Sequence, residues 1–441
     1  MHGLLNNNKG KVLFLPIFFA ATVSNVLDCV SMLLDEMIIG NLFDDAAFGA
    51  INVIEPYQLV ESFLSYMICI GGVAMIIRAD GERSQERIND LFSHCITSCL
   101  LLGVISFAVY SVFGRQMVDA VSGGTEANPY VLEAISWNRL DALVEPAYIF
   151  LFTYILLRGG SMFALLVTII EISSNFVMSV ALGKAMGIGG VVLATGIAFC
   201  IGIFLILLFL FLRKENVTVR PYFDAGLTGK LSVISFPESS FIISVAFMEA
   251  VVNNTALLNY GIRGIAVAAV VINMFEIVIY VAEGITQYET ASLNQYLGQG
   301  DNDRVSECIR VTIRAAVLEG LVISALYFMF AEDIVSIFDI NDPATFGSAV
   351  SAAEVIAVIP IVICFTRILA VFFQYTKRTG RAAFLVIMSW GLLPALGGWL
   401  LGRVSLDGIT WGVALGASAA LFLMILYVRI RKKEKVWALN Q

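Results

Sequence analysis

The chain has 441 residues, of which 59% are hydrophobic and 14% charged, and its mean hydropathy is +0.86. A soluble domain of this size would not stay in solution with so apolar a composition, so we predict an all-α polytopic membrane protein. The two histidines are too few for a metal site built from several histidines, and the seven cysteines lack zinc-ligand spacing, so we expect no metal or cofactor. The net charge of -8 gives no indication of a nucleic-acid partner.

The first predicted span, Leu13–Asn41, contains 29 residues and carries Asp28, Asp35 and Glu36. At about 1.5 Å per residue, a helix of this length crosses a bilayer core. A carboxylate near the bilayer centre costs at least about 2.5 kcal/mol, so it persists mainly where it faces protein, water or an ion. Asp28 and Asp35 share one helical face because they are seven residues apart. We therefore expect a coupling cation to bind here, above all at Asp35.

Eleven further apolar runs follow, so the sequence predicts twelve membrane-spanning helices. A cytoplasmic N-terminus would place most of the 27 basic residues on the inner face, which predicts that both termini are cytoplasmic. The approximate bounds of the spans are 12–39, 51–77, 91–113, 137–157, 162–182, 188–212, 231–260, 265–290, 305–330, 351–376, 382–402 and 408–430.

The spans form an internal repeat of two halves. Pro16 and Pro237 each stand near the start of a span and are 221 residues apart, and Asp28 and Glu249 have the same separation, as do Glu55 and Glu276. Because each half has an even number of spans, the repeat predicts two parallel six-helix lobes. The predicted domains are an N-terminal lobe, a cytoplasmic inter-lobe linker, and a C-terminal lobe with a basic tail, at 1–212, 213–230 and 231–441.

Acidic residues interrupt the spans much more often than basic residues do. Arg367 falls inside a span and can neutralise one acid. The other intramembrane carboxyls are expected to be protonated, hydrated in a cavity or occupied by a cation. Some acids near predicted span ends are instead interpreted as side chains that reach water, namely Glu36, Glu61, Asp141, Glu289, Glu319 and Glu354.

The fifth span carries a second polar set. Glu171, Asn175 and Ser179 recur every four residues and share one helical face, and Thr195 follows in the sixth span. A carboxylate with an amide and hydroxyls suits a proton or a hard cation such as sodium. The alternative is that this stripe forms hydrogen bonds between helices, and the spacing leaves both interpretations open.

The order of several motifs resembles the multidrug and toxin extrusion (MATE) family, and especially its bacterial branch related to the DNA-damage-inducible transporters. In the first half, the similar motifs are Leu34–Gly40, Leu157-Arg158-Gly159, and Gly187-Ile188-Gly189-Gly190 with Ala194-Thr195. In the second half they are Phe236-Pro237, Asn254 with Gly261, and Gly284–Asp301. The resemblance covers nearly the whole chain and rests on the spacing of these motifs rather than on any one of them.

This resemblance implies a secondary active antiporter in a bacterial inner membrane that exports cationic or amphipathic small molecules in exchange for protons or sodium ions, by rocking of two lobes. It implies a transporter rather than an enzyme, and a monomer whose partners are its substrate and the lipid bilayer. It also implies that Asp35, Asn175 and Thr195 mark the cation site of the first lobe, where sodium is possible. Ser179 stands where the family usually has an aspartate, which favours protons, and Glu171 is a candidate substitute.

The candidate substrate cavity is built mainly from the remaining acids. Glu55 and Glu238 adjoin span prolines at positions where the family does not usually carry glutamate. The full set is Asp28, Glu55, Glu145, Glu238, Glu249, Asn254, Glu276, Gln287 and Arg367. A flippase for a lipid-linked substrate is the alternative function. Such a cavity needs basic residues to hold a pyrophosphate, and Arg367 is the only one that qualifies.

Overall fold

The computed structural model describes residues 14–43, 45–122, 128–215, 217–338, 340 and 342–430. Every regular element in these residues is a helix, which confirms the predicted all-α class. A helix satisfies its backbone hydrogen bonds within one segment, and this is what a chain must achieve where no water is available.

The first part of the chain forms six long helices. They are α1 (Phe14–Leu42), α2 (Asp45–Gly81), α3 (Gln85–Ser122), α4 (Asn128–Leu157), α5 (Ser161–Met186) and α6 (Ile188–Leu212). The second part contains α7 (Ala225–Gly261), α8 (Arg263–Gln299), α9 (Asn302–Met329), α10 (Ala331–Ser336), α11 (Pro343–Ile356), α12 (Pro360–Tyr375), α13 (Thr379–Gly402) and α14 (Leu406–Ile430). Gly261 separates α7 from α8 with a φ of 61°, a backbone conformation that glycine adopts without strain.

Ten of the helices in the described residues are long and apolar enough to cross a membrane. The pair α11 and α12 meets the same test together, with a bend of 45°, and α1 begins with an apolar segment at Phe14–Asp28. Each of the twelve predicted spans thus falls on a helix or on this bent pair. The prediction of one continuous helix at 351–376 was wrong, because Pro360 begins a new helix after the break.

The chain divides into two compact units, Met1–Ser235 and Phe236–Gln441, which we call the first and second lobes. The boundary lies inside α7, beyond the end of the predicted linker at 213–230. Residues 217–224 of that linker are not helical and lie along α3. Backbone N–H groups of Thr218, Arg220, Tyr222 and Asp224 donate to Asn89 Oδ1, Ser93 Oγ, Thr97 Oγ1 and His94 Nδ1, over 3.1–3.3 Å. Hydrogen bonding at alternate residues therefore makes the linker part of the first lobe.

Glycines allow α13 and α14 to touch at their backbones. A Cβ atom added to Gly412 would lie 2.1 Å from the carbonyl oxygen of Gly397, and one added to Gly416 would lie 2.2 Å from that of Leu393. Without a hydrophobic drive between helices in lipid, this close van der Waals packing is an important source of helix association.

Replacing Gly412 with alanine should therefore destabilise the protein by about 1–3 kcal/mol, because the two helices must move apart to admit the methyl group. Thermal unfolding of the purified protein in detergent would measure the loss. Gly347→Ala is the matched control, since nothing lies within 4 Å of a Cβ atom added there. Equal stability of the two variants would contradict the packing argument.

Candidate functional site

One buried face of α5 carries the polar residues predicted for the fifth span. Glu171, Asn175 and Ser179 are all buried, and Ser179 Oγ donates a hydrogen bond to Asn175 Oδ1 over 2.8 Å. The helix packs against α1 and α6, and Thr195 on α6 is partly buried. The predicted common face is therefore present. The roles of these residues in ion binding stay predictions.

Helix α1 also packs against α5. Thr168 Oγ1 on α5 donates to Ser24 Oγ on α1 over 3.1 Å, so the two helices are joined by side chains as well as by packing. Asp28 is exposed on α1. The side chains of Asp35 and Glu55 lie outside the described residues, so their assignments to the cation site and the substrate cavity stay predictions.

A second polar group lies between α2 and α4. Glu61, Asp141 and Glu145 are only 5%, 8% and 9% exposed. The interpretation of Glu61 and Asp141 as acids at span ends that reach water was therefore wrong. The reason is helix length, because α2 and α4 begin at Asp45 and Asn128, well before the apolar runs from which the spans were predicted.

Hydrogen bonds connect this group across three helices. Ser62 Oγ donates to Glu145 Oε1 over 2.6 Å, and the hydroxyl of Tyr110 on α3 donates to Glu61 Oε2 over 3.1 Å. One helical turn away, Gln58 Nε2 donates to Asn138 Oδ1 over 2.9 Å. The sequence analysis singled out none of the partners Gln58, Ser62, Tyr110 and Asn138. The three-residue spacing of Gln58 from Glu61 and of Asn138 from Asp141 was an available signal. No such spacing pointed to Ser62 or Tyr110.

The second lobe buries an arginine between two glutamates. Arg367 on α12 is 2% exposed, and its guanidinium bonds Glu238 on α7 and Glu283 on α8. Its Nη1 donates to Glu238 Oε2 and its Nε to Glu283 Oε2, each over 3.1 Å, while Nη2 bonds both carboxylates. The expectation that Arg367 can neutralise one acid agrees with its single charge, but its fork of donors bonds carboxylates on two helices rather than one.

Aromatic rings complete the surroundings of this arginine. The guanidinium carbon lies 5.4 Å from the ring centre of Phe241 and 5.1 Å from that of Trp390. Gln287 Nε2 donates to the free side of Glu283, at Oε1, over 2.5 Å. Glu238, Gln287 and Arg367 from the predicted substrate cavity thus belong to one network, together with Glu283, which had not been assigned to it.

The other predicted residues of the second lobe are separate from this network. A side-chain hydrogen bond joins Glu249 on α7 to Glu276 on α8, which requires one of the two carboxyls to be protonated. Asn254 is exposed on α7. Glu289 is fully buried, so its interpretation as a residue that reaches water was also wrong. Glu354 is exposed, as that interpretation requires, and Glu319 is partly buried.

A cavity of about 740 Å³ lies in the first lobe where the linker meets α2, α3 and the start of α7. Its lining includes Met75, Arg87, Asp90, Tyr222 and Lys230. None of the predicted site residues lines it. The buried carboxyl groups, rather than this cavity, are therefore the candidate functional sites of the described residues.

Comparison with known proteins gives concordant results. A family model described as MatE matches residues 240–400. The probable multidrug resistance protein YoeA of Bacillus subtilis is 28% identical over 335 residues, covering 72% of this chain and 71% of YoeA. These matches support the resemblance to the MATE family.

Solved structures show the same fold. A transporter of the MOP superfamily from Pyrococcus furiosus matches with a TM-score of 0.87 and 18% identity, over 99% of this chain and 98% of the other. An outward-facing multidrug resistance MATE transporter matches with a TM-score of 0.85 and 18% identity, over 97% of each chain. The two-lobe, all-α fold is thereby confirmed. The family model and the named relatives bear out the predicted resemblance to the MATE family and support the expectation of a transporter.

Arg367→Met should destabilise the protein by about 3–5 kcal/mol, because two carboxylates in the helix interior lose their common partner. Unfolding in detergent would measure the loss. The triple variant Glu238→Gln, Glu283→Gln, Arg367→Met should regain most of it, since no charge of the network remains. An Arg367→Met protein as stable as the parent would show that the ion pairs do not stabilise the second lobe.

Proposed function

We propose that this protein is a MATE-family transporter that exports cationic or amphipathic small molecules in exchange for protons, with sodium ions as the alternative coupling ion. The observation that carries the proposal is the excess of acidic over basic side chains in the interior of the described helices. Among the described residues, four acids are buried in the first lobe, and in the second lobe Arg367 is accompanied by buried Glu289 and by several partly buried glutamates. The name of YoeA, a probable multidrug resistance protein, supports export of more than one compound.

In the described part of the first lobe, no ion pair to a lysine or arginine is present at Glu61, Asp141 or Glu145. No lysine or arginine occurs between Lys11 and Arg78, a stretch that includes all of α1 and most of α2. Arg139 on α4 donates through Nε to the carbonyl of Ser136. Carboxyl groups in this position must bind a proton or another cation, or must be hydrated, to offset the cost of leaving water.

Among the described residues of the second lobe, Arg367 is the one buried arginine, and it is paired with two glutamates. Arg367 balances one of its two glutamates, which leaves the network with a formal charge of -1 when both are ionised. Glu249 and Glu276 add a pair of carboxyls that share a hydrogen bond. This surplus of negative charge favours cationic over anionic substrates.

The proposed exchange centres on Asp35 of α1. Proton binding to Asp35 removes a negative charge and weakens the binding of a cationic substrate, and proton release restores it. Protons are preferred over sodium because Ser179 supplies a hydroxyl rather than a second carboxylate next to Asn175. Each net charge moved adds about 2.3 kcal/mol per 100 mV of membrane potential.

We further propose that the chain acts as a monomer in a bacterial inner membrane with both termini in the cytoplasm, as the distribution of basic residues predicts. A flippase for a lipid-linked substrate is disfavoured, since a pyrophosphate needs available basic side chains. Arg367, the candidate for that role, is held by Glu238 and Glu283.

Asp35→Asn should reduce the efflux of a fluorescent cation to the level of cells that lack the transporter, because the amide cannot take up and release the coupling proton. Glu36→Gln is the matched control, since it removes a carboxylate one residue further along α1, and it should retain efflux. Fluorescence retained by loaded cells measures both. Undiminished efflux by Asp35→Asn would refute the assignment of Asp35.

In proteoliposomes, a proton gradient alone should drive transport of the same dye, and a sodium gradient alone should not. A panel of cationic, neutral and anionic dyes measured in the same vesicles should show preference for the cations. Transport driven only by sodium would assign the coupling to that ion instead, and preference for the anionic dye would contradict the proposed substrate class.

A further inference from the structure

The cluster of three buried acids between α2 and α4 includes polar atoms that have no hydrogen-bond partner among the described residues. Asp141 Oδ1 and Asn138 Nδ2 are buried and have no hydrogen-bond partner there, and Asn138 is only 1% exposed. Asn138, Asp141 and Glu145 lie three and four residues apart and share one face of α4. A buried acceptor and a buried donor left open on one face indicate a ligand that supplies a proton or a hydrogen-bonded water.

The three carboxyls act on one another and on a common hydroxyl. Asp141 and Glu145 are four residues apart on one face of α4, and Ser62, which follows Glu61 on α2, donates to Glu145. The hydroxyl of Tyr110, which donates to Glu61, is also within electrostatic range of Asp141 and Glu145. Like charges so close together in a dry site cannot all be present at once, so the group must hold at least one proton.

The other helices around this group bring no positive charge to it. The ionisable side chains that face it from the described parts of the neighbouring helices are Cys69 of α2, Tyr110 and Cys99 of α3, and Glu171 of α5. Arg139 of α4 bonds the carbonyl of Ser136, and α6 carries no charged residue. Nothing described therefore neutralises the carboxylates by an ion pair.

A metal ion does not account for the arrangement. Within the described residues, no group of three or more carboxylate, thiol or imidazole side chains converges closely enough to hold one. Glu145 is instead hydrogen-bonded to Ser62, and Glu61 to Tyr110. Separate hydroxyl partners of this kind suit carboxyls that exchange protons one at a time.

We propose that Glu61, Asp141 and Glu145 form a second proton-binding site of the first lobe, distinct from Asp35, that takes up and releases a proton during transport. The inference rests on the proposed proton exchange, which it extends to a second group. Because Glu171 on the α5 face is also within electrostatic range of Asp141, the charge on the triad influences the charge on the predicted cation site. Asp141 Oδ1 and Glu61 Oε1 are both buried without a hydrogen-bond partner among the described residues. The proton is assigned to Asp141 because Glu61 and Glu145 each accept a hydrogen bond from a hydroxyl, which favours their ionised forms.

Infrared difference spectra of the full-length protein in lipid nanodiscs, recorded from about pH 5 to about pH 9, test the site without any transport. Asp141→Asn should remove one carboxyl band that changes with pH, and Asp35→Asn should leave that band in place. Glu145→Gln keeps a partner for Ser62 and removes one like charge, so the remaining triad band should change at a pH lower by about one unit. Glu289→Gln, a buried acid outside the triad, is the control and should leave the band unaltered.

A triad whose carboxyls stay protonated over the whole pH range would overturn the inference and make the group a structural one. So would a triad band that disappears in the Asp35→Asn protein, since the two sites would then not be distinct. Failure of the proposed antiport would give a different result. The triad band would still change with pH, but a proton gradient would not drive dye transport. Tyr110→Phe, which keeps the ring and loses only the donor to Glu61, gives a second variant should Asp141→Asn not fold.

Discussion

A carboxylate placed among membrane-spanning helices must find a proton, a partner or water, and this constraint governs the interior of both lobes. The first lobe meets it with hydroxyl donors, as at Glu61 and Glu145. The second lobe meets it with Arg367, which takes two glutamates at once, and with a hydrogen bond between Glu249 and Glu276. A carboxyl held by hydroxyl donors can bind and release a proton, whereas an arginine stays protonated.

Hydropathy predicted the fold class and the positions of the spans because each membrane-spanning helix must by itself be long and apolar enough to cross the bilayer. It missed the break at Pro360, since proline is tolerated in membrane helices and its presence alone does not predict a bend. It also placed several helix ends too far inward, because α2 and α4 continue for several residues beyond their apolar runs. That single error made Glu61 and Asp141 resemble residues at a membrane surface.

Within one helix, spacing was a sound guide to the candidate site, as the shared face of Glu171, Asn175 and Ser179 shows. Between helices it was not. The partners of Arg367 are 84 and 129 residues away in sequence, and those distances contain no information about the rotation of α7, α8 and α12 about their axes. The residue count of negative and positive groups predicted an unbalanced interior. Only the coordinates show that Glu283 shares the arginine and that Tyr110 reaches Glu61.

The extended segment at 217–224 has a consequence for how the polypeptide can be divided. Its alternate amides are already matched to acceptors on α3, and Arg220 adds an ion pair to Asp90 over 2.6 Å. A backbone cut near Lys214 would therefore leave the downstream fragment with a short docking peptide for the upstream one. Complementation of two separately produced fragments would begin from a built-in recognition element, rather than from the apolar surfaces of the helices alone.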